Sequence, residues 1–162
     1  MLAINGIPTL EDLTKVTPPA ERLAKGPCAI VECFQKIPCN PCATSCPTGA
    51  FNTGNDINEL PALDHNKCIG CGICIARCPG LAIFILDLSG NEAILRLPFE
   101  QIPLPQEDMI VDGLGRDGSY ICDVKVTRVQ NSPSQDRTAI IWISLPKEQA
   151  MSVRNIRLKE AH

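Results

Sequence analysis

The chain has 162 residues, a net charge of −3 and 20% charged residues, a size that fits one ordinary domain or two small modules sharing an interface. It has no basic stripe of the kind that holds nucleic acid by counterion release, and its longest apolar run, Leu81 to Leu86, is far short of the ~20 residues that span a bilayer. Ten cysteines, with no basic and apolar leader in MLAINGIPTLEDL, point to a reducing, cytoplasmic setting in which clustered thiols serve metals rather than disulfides.

Residues 1–27 read as a helical arm. Thr9 and Asp12 resemble a capping box ahead of Leu10 and Leu13, and Pro18 to Gly26 reads as a short helix entered through proline and ended by glycine. A weak internal repeat follows. Cys42-Ala-Thr-Ser-Cys46-Pro47 lies on Cys74-Ile-Ala-Arg-Cys78-Pro79, Ala50 then falls on Ala82, and Cys39 falls on Cys71. Between the copies, Gly54-Asn55-Asp56 marks the turn of a short hairpin.

From residue 81 the cysteine clusters give way to strand signals at 81–88, 92–99, 119–129 and 138–145. Alternation in Ile121 to Thr127 puts Cys122, Val124 and Val126 on one face, so Cys122 reads as a buried thiol. The G-x-G within Gly113 to Gly118 reads as a hairpin turn. Pro146 and the stretch 147–157 predict a C-terminal helix.

The thiol spacing carries the chemistry. An iron–sulfur cube presents corners a few ångströms apart, and a loop with a thiolate every third residue can wrap three of them. The fourth cysteine, followed by proline, is directed toward the cube held by the other copy. Zinc also accepts thiolates two residues apart, but it usually draws its pairs from two separate knuckles, whereas three thiols crowd each loop here. Gly70 and Gly72 allow backbone amides to approach sulfur closely.

In these motifs residues 28–85, a little over a third of the chain, resemble a bacterial-type ferredoxin with two [4Fe–4S] clusters. The resemblance implies that Cys33, Cys39, Cys42 and Cys78 hold the first cluster and Cys68, Cys71, Cys74 and Cys46 the second. The family's spacing would put a cysteine at position 36, which is Lys36; Cys33 takes that role, Cys28 is the alternative, and a three-iron first cluster stays open. Cys28 lies in a strand-like stretch and reads as a core thiol.

The expected fold class is α+β: a pseudo-twofold dicluster domain at 28–85, then a small antiparallel β module at 86–162 with its C-terminal helix. No substrate site of the chain's own is legible. The extensions beyond the ferredoxin-like part imply permanent docking in a larger oxidoreductase, and the tail around Asp136 to Lys147 resembles ferredoxin-like small subunits of flavin-dependent amino-acid or amine dehydrogenases. That resemblance implies a partner subunit carrying FAD or FMN in a stable hetero-oligomer, with this chain relaying single electrons. A free ferredoxin and a structural iron–sulfur module are the alternatives.

Overall fold

The computed structural model describes residues 2–159. The arm folds as α1 (Leu2–Asn5), α2 (Leu10–Val16) and α3 (Ala20–Leu23). The capping box is present at α2: Thr9 Oγ1 accepts from the Asp12 amide at 3.2 Å, and the Asp12 carboxylate accepts from the Thr9 amide at 2.9 Å. Leu23 of α3 is buried, and its carbonyl accepts from the Leu88 amide at 3.2 Å. The arm is thereby tied to the sheet rather than left free.

Strands β1 (Cys28–Val31), β2 (Phe51–Asn52), β3 (Ala62–Leu63), β4 (Ile83–Asp87), β5 (Ala93–Phe99), β6 (Ile110–Leu114), β7 (Tyr120–Gln130), β8 (Ala139–Leu145) and β9 (Asn155–Arg157) follow, with helices α4 (Pro41–Ser45) and α5 (Ile73–Arg77) among them. β2 and β3 form the expected hairpin between the cysteine motifs. The other seven strands make one sheet in the order β1-β4-β5-β8-β7-β6-β9, antiparallel throughout.

Side chains alternate across that sheet. Cys28 and Ile30 of β1, Phe84 and Leu86 of β4, Leu95 and Leu97 of β5, Val111 of β6, Val124 and Val126 of β7, Ile141 and Ile143 of β8 and Ile156 of β9 all meet in one core. The opposite faces of β1 and β4 carry Ala29, Val31, Ile83 and Ile85, which join Cys42, Phe51, Cys74 and Ile75 in a second core. The cysteine motifs therefore sit on the outside of the same sheet whose inside holds the main core. The expected boundary between residues 85 and 86 falls within β4, and the sheet runs through it without interruption.

Two expectations need correction. Residues 147–157 do not form a helix: Lys147–Gln149 makes one 3-10 turn and the chain then straightens into β9. Pro146 fits either start, but the exposed edge of β6 offers ladder hydrogen bonds, Ile156 pairs with Gly113, and Ser152 and Asn155 favour helices weakly. Cys122, expected to be buried, is half-buried at the margin of the main core.

The two edge strands are joined. Glu32, directly after β1, accepts from Arg116 Nε at 2.8 Å and Nη2 at 2.6 Å and from Arg154 Nε at 2.7 Å. Arg154 immediately precedes β9, so the sheet curls until its first and last strands meet at this triad. Burial acts to raise the Glu32 pKa, but the hydrogen bond from Arg116 and the charge of Arg154 hold its carboxyl below the usual range. Arg154 also donates to the Ala150 and Val153 carbonyls and lies 5.1 Å from the Phe84 ring. Glu32→Gln leaves two buried guanidinium groups against a neutral amide and should destabilise the fold by roughly 3–5 kcal/mol, read as a lower urea midpoint with an unchanged slope. Lys36→Gln, which removes an exposed pair with Glu59 at 2.9 Å, should cost less than about 1 kcal/mol.

Candidate metal centre

The two copies of the repeat build the same local structure. Each places a five-residue helix, α4 or α5, that carries the third cysteine at its second position and ends just before the fourth. Proline after Cys46 and Cys78 pushes those cysteines out of helical geometry, to φ/ψ of −74/116 and −79/111. Three residues beyond each fourth cysteine the backbone turns left-handed, at Gly49 (φ 61) and Leu81 (φ 51). The next amide donates back to sulfur in both copies, Ala50 to Cys46 Sγ and Ala82 to Cys78 Sγ, each at 3.4 Å.

The eight predicted site residues gather around two cavities. One is lined by Cys33, Cys39, Cys42 and Cys78. The other is lined by Cys46, Cys68, Cys71 and Cys74. The fourth cysteine of each motif thus faces the cavity of the other motif. Cys33, three residues before the family's usual position, reaches the first cavity; Lys36 instead pairs with Glu59 at the surface.

Apolar side chains complete both linings, among them Val31 and Ile83 at the first and Phe51 and Ile85 at the second. Such walls limit the approach of water to a thiolate-bound group. Among the described residues, no three His, Cys, Asp or Glu side chains converge as the ligands of a single metal ion. Four thiols spread around the wall of a cavity fit a cluster with several corners better than a single tetrahedral ion.

The thiols differ in their ease of ionisation. Burial pushes Cys42 up to about 11 and Cys74 up to about 12. Burial also raises Cys33, with Cys78 adding to the effect. Cys46 is partly desolvated as well, but the Thr48 hydroxyl and the surrounding amides outweigh this and hold it below the ordinary thiol range. Cys68 is lowered chiefly by the Cys28 thiol donating to it; against burial it also gains from the Ala29 amide at 3.4 Å, the Gly70 amide and the charge of Arg22. Cys28 is raised by the same contact and by burial.

Cys28 lines neither cavity and is fully buried in the main core. Its place beside Cys68 was not legible in the sequence, because the two are 40 positions apart and meet only where the loop at Cys68 folds against the start of β1, the Ala29 amide donating to Cys68 Sγ. His65, in the turn before Cys68, is half-buried, and its carbonyl accepts from Arg22 Nε at 2.8 Å.

Residues 61–84 match the family of 4Fe–4S binding domains. Among curated proteins, the thiosulfate reductase electron transfer subunit PhsB of Salmonella typhi is 39% identical over 51 residues, 28% of this chain and 26% of that protein. The ferredoxin-type protein NapF of Haemophilus influenzae is 34% identical over 61 residues, 36% of this chain and 35% of its own length. An uncharacterized ferredoxin of Methanocaldococcus jannaschii is 36% identical over 62 residues, 38% and 39% of the two chains. The match thus spans between about a quarter and two fifths of each relative. No solved structure matches the chain at a significant level. Residues 61–84 thus carry a 4Fe–4S binding domain, and two of these relatives are named as a ferredoxin and a ferredoxin-type protein.

Gly70 sets the shape of the second cavity. It has φ +66, and a Cβ there would lie 2.6 Å from both the Pro27 carbonyl and Pro27 Cβ, so the loop can lie against the segment before β1 only without a side chain. Gly70→Ala should lower the iron bound per chain by displacing Cys68 and Cys71. Gly54→Ala, with φ +65 and open space around it, carries the same backbone strain without the clash and should leave iron content unchanged in a colorimetric iron assay.

Proposed function

We propose that this chain is the electron-transfer iron–sulfur subunit of an oxidoreductase, holding one [4Fe–4S] cluster on Cys33, Cys39, Cys42 and Cys78 and a second on Cys68, Cys71, Cys74 and Cys46. The observation that carries the reading is the gathering of four thiols around each of two apolar cavities, with Cys46 and Cys78 exchanged between the motifs. When bound, such clusters accept and release electrons singly. The chain's own residues supply thiolates, backbone amides donating to the sulfurs of Cys46, Cys68 and Cys78, and apolar walls that keep water away. Cys71 is exposed, which gives the second site an edge at the surface for exchange with a partner.

The relatives named as an electron transfer subunit and a ferredoxin-type protein support the relay role, and the strands beyond residue 87 supply surface that a small carrier does not need. A dehydrogenase subunit carrying FAD or FMN is the partner we propose, on the resemblance of the tail. A flavin takes two electrons from its substrate and can pass them on singly, and two clusters offer the onward route. No helix among the described residues is long and apolar enough to cross a membrane.

Anaerobically prepared protein should contain about eight iron and eight acid-labile sulfide per chain; a colourless zinc protein would end the reading. Cys46→Ser should perturb the centre of Cys68, Cys71 and Cys74, and Cys78→Ser the other, as resolved by electron paramagnetic resonance. In the native complex, Cys71→Ser should leave flavin reduction by substrate intact and abolish turnover with the external acceptor. Unchanged acceptor turnover, after verified loss of that cluster, would show that the route lies elsewhere.

A further inference from the structure

The two cavities differ in the charge that the rest of the chain brings to them. Arg96, on β5 and outside both cysteine motifs, donates from Nη1 to the Gly70 carbonyl at 2.7 Å, within the loop that joins Cys68 to Cys71. Its guanidinium lies 3.7 Å from the centroid of the Trp142 ring. Trp142 is its direct cross-strand partner on β8 and is itself oriented by donating from Nε1 to Gln130 Oε1 at 2.6 Å. Arg96 Nε is buried and has no hydrogen-bond partner among the described residues.

On another side of the same loop, Arg22 donates to the Cys68 carbonyl at 2.7 Å and the Pro27 carbonyl at 3.0 Å. At the first cavity the charged lining residue is Glu59, whose partner is Lys36. One cavity thus has fixed arginine charge against its loop, and the other has a carboxylate that is already paired with a lysine.

We propose that Arg96, held flat by Trp142, sets the reduction potential of the cluster on Cys46, Cys68, Cys71 and Cys74 and makes it the first of the two to be reduced. The inference rests on the reading that both cavities hold clusters. Reduction adds one negative charge: the reductant loses one electron, the cluster gains it, and no bond or proton changes place. A half-buried cation stabilises that added charge far more than a solvated one, because the local dielectric is low. Arginine suits the role because it stays protonated and stacks on an aromatic face. The partnerless Nε marks a guanidinium that is positioned for charge rather than saturated by hydrogen bonds.

The test is a dithionite titration of the full-length, anaerobically purified protein, followed by electron paramagnetic resonance. Wild type should show two one-electron waves. In Arg96→Met the higher wave should fall by about 59 mV or more, a tenfold loss in the ratio of reduced to oxidised cluster at fixed potential, with the lower wave unmoved. Arg96→Lys should recover most of the shift. The proposal is overturned if neither wave moves, if both move equally, or if the lysine variant shifts as far as the methionine variant. Should Arg96→Met lose iron, Arg96→Gln, which keeps a donor for the Gly70 carbonyl, is expected to show the same downward shift. Loss of iron in both variants would assign Arg96 a structural role and overturn the tuning role. Wild-type protein that takes up no iron would instead overturn the cluster reading itself.

Discussion

Strands β1 and β4 are buried on both faces, and the arrangement of the molecule depends on that constraint. Cys28, Ile30, Phe84 and Leu86 point into the main core, while Ala29, Val31, Ile83 and Ile85 point into the second. Each large aliphatic side chain buried in this way is worth about 1.5–3 kcal/mol relative to exposure. Neither half can be removed without exposing one face of these two strands to water. The cysteine loops therefore have a rigid floor, which matters because each cavity draws its thiols from segments far apart in the chain.

A second organising contact is the ionic triad at the seam. Removing one member of such a buried group is costly, yet replacing the whole group by apolar residues can be neutral. Its value here lies in register. Glu32 offers two oxygens to two arginines, and the geometry is satisfied only when β9 sits against β6 and the turn after β6 lies over the end of β1.

Much of this was legible in the sequence, and the rest was hidden for physical reasons. The eight cysteines lining the cavities, the capping box at Thr9 and Asp12, and the strands near 83, 93, 120 and 139 follow from spacing and alternation, which are local properties. Strand β6 escaped notice because Asp112 and Gly113 break its apolar pattern. Strand β9 is three residues long, and Val153 and Ile156 are spaced as compatibly with a helix as with an edge strand. What decided that segment was the open edge of β6, a tertiary fact. The place of Arg96 beside the Gly70 carbonyl carried no sequence signal, since it depends on how β5 stands beside β4 and on the outer face of the sheet. The approach of Cys28 to Cys68 was hidden in the same way.

The seam has a consequence for the order in which the protein is made. Arg154 lies 122 positions after the Glu32 that it grips, and contacts of such long range form late and slowly. The cysteine motifs emerge from the ribosome first, while the inner faces of β1 and β4 still lack the strands that cover them. During synthesis, Cys28 and its neighbours are therefore open to solvent and oxidants that the finished sheet excludes. A cell that makes this protein therefore benefits from keeping its cysteines reduced until β9 has docked.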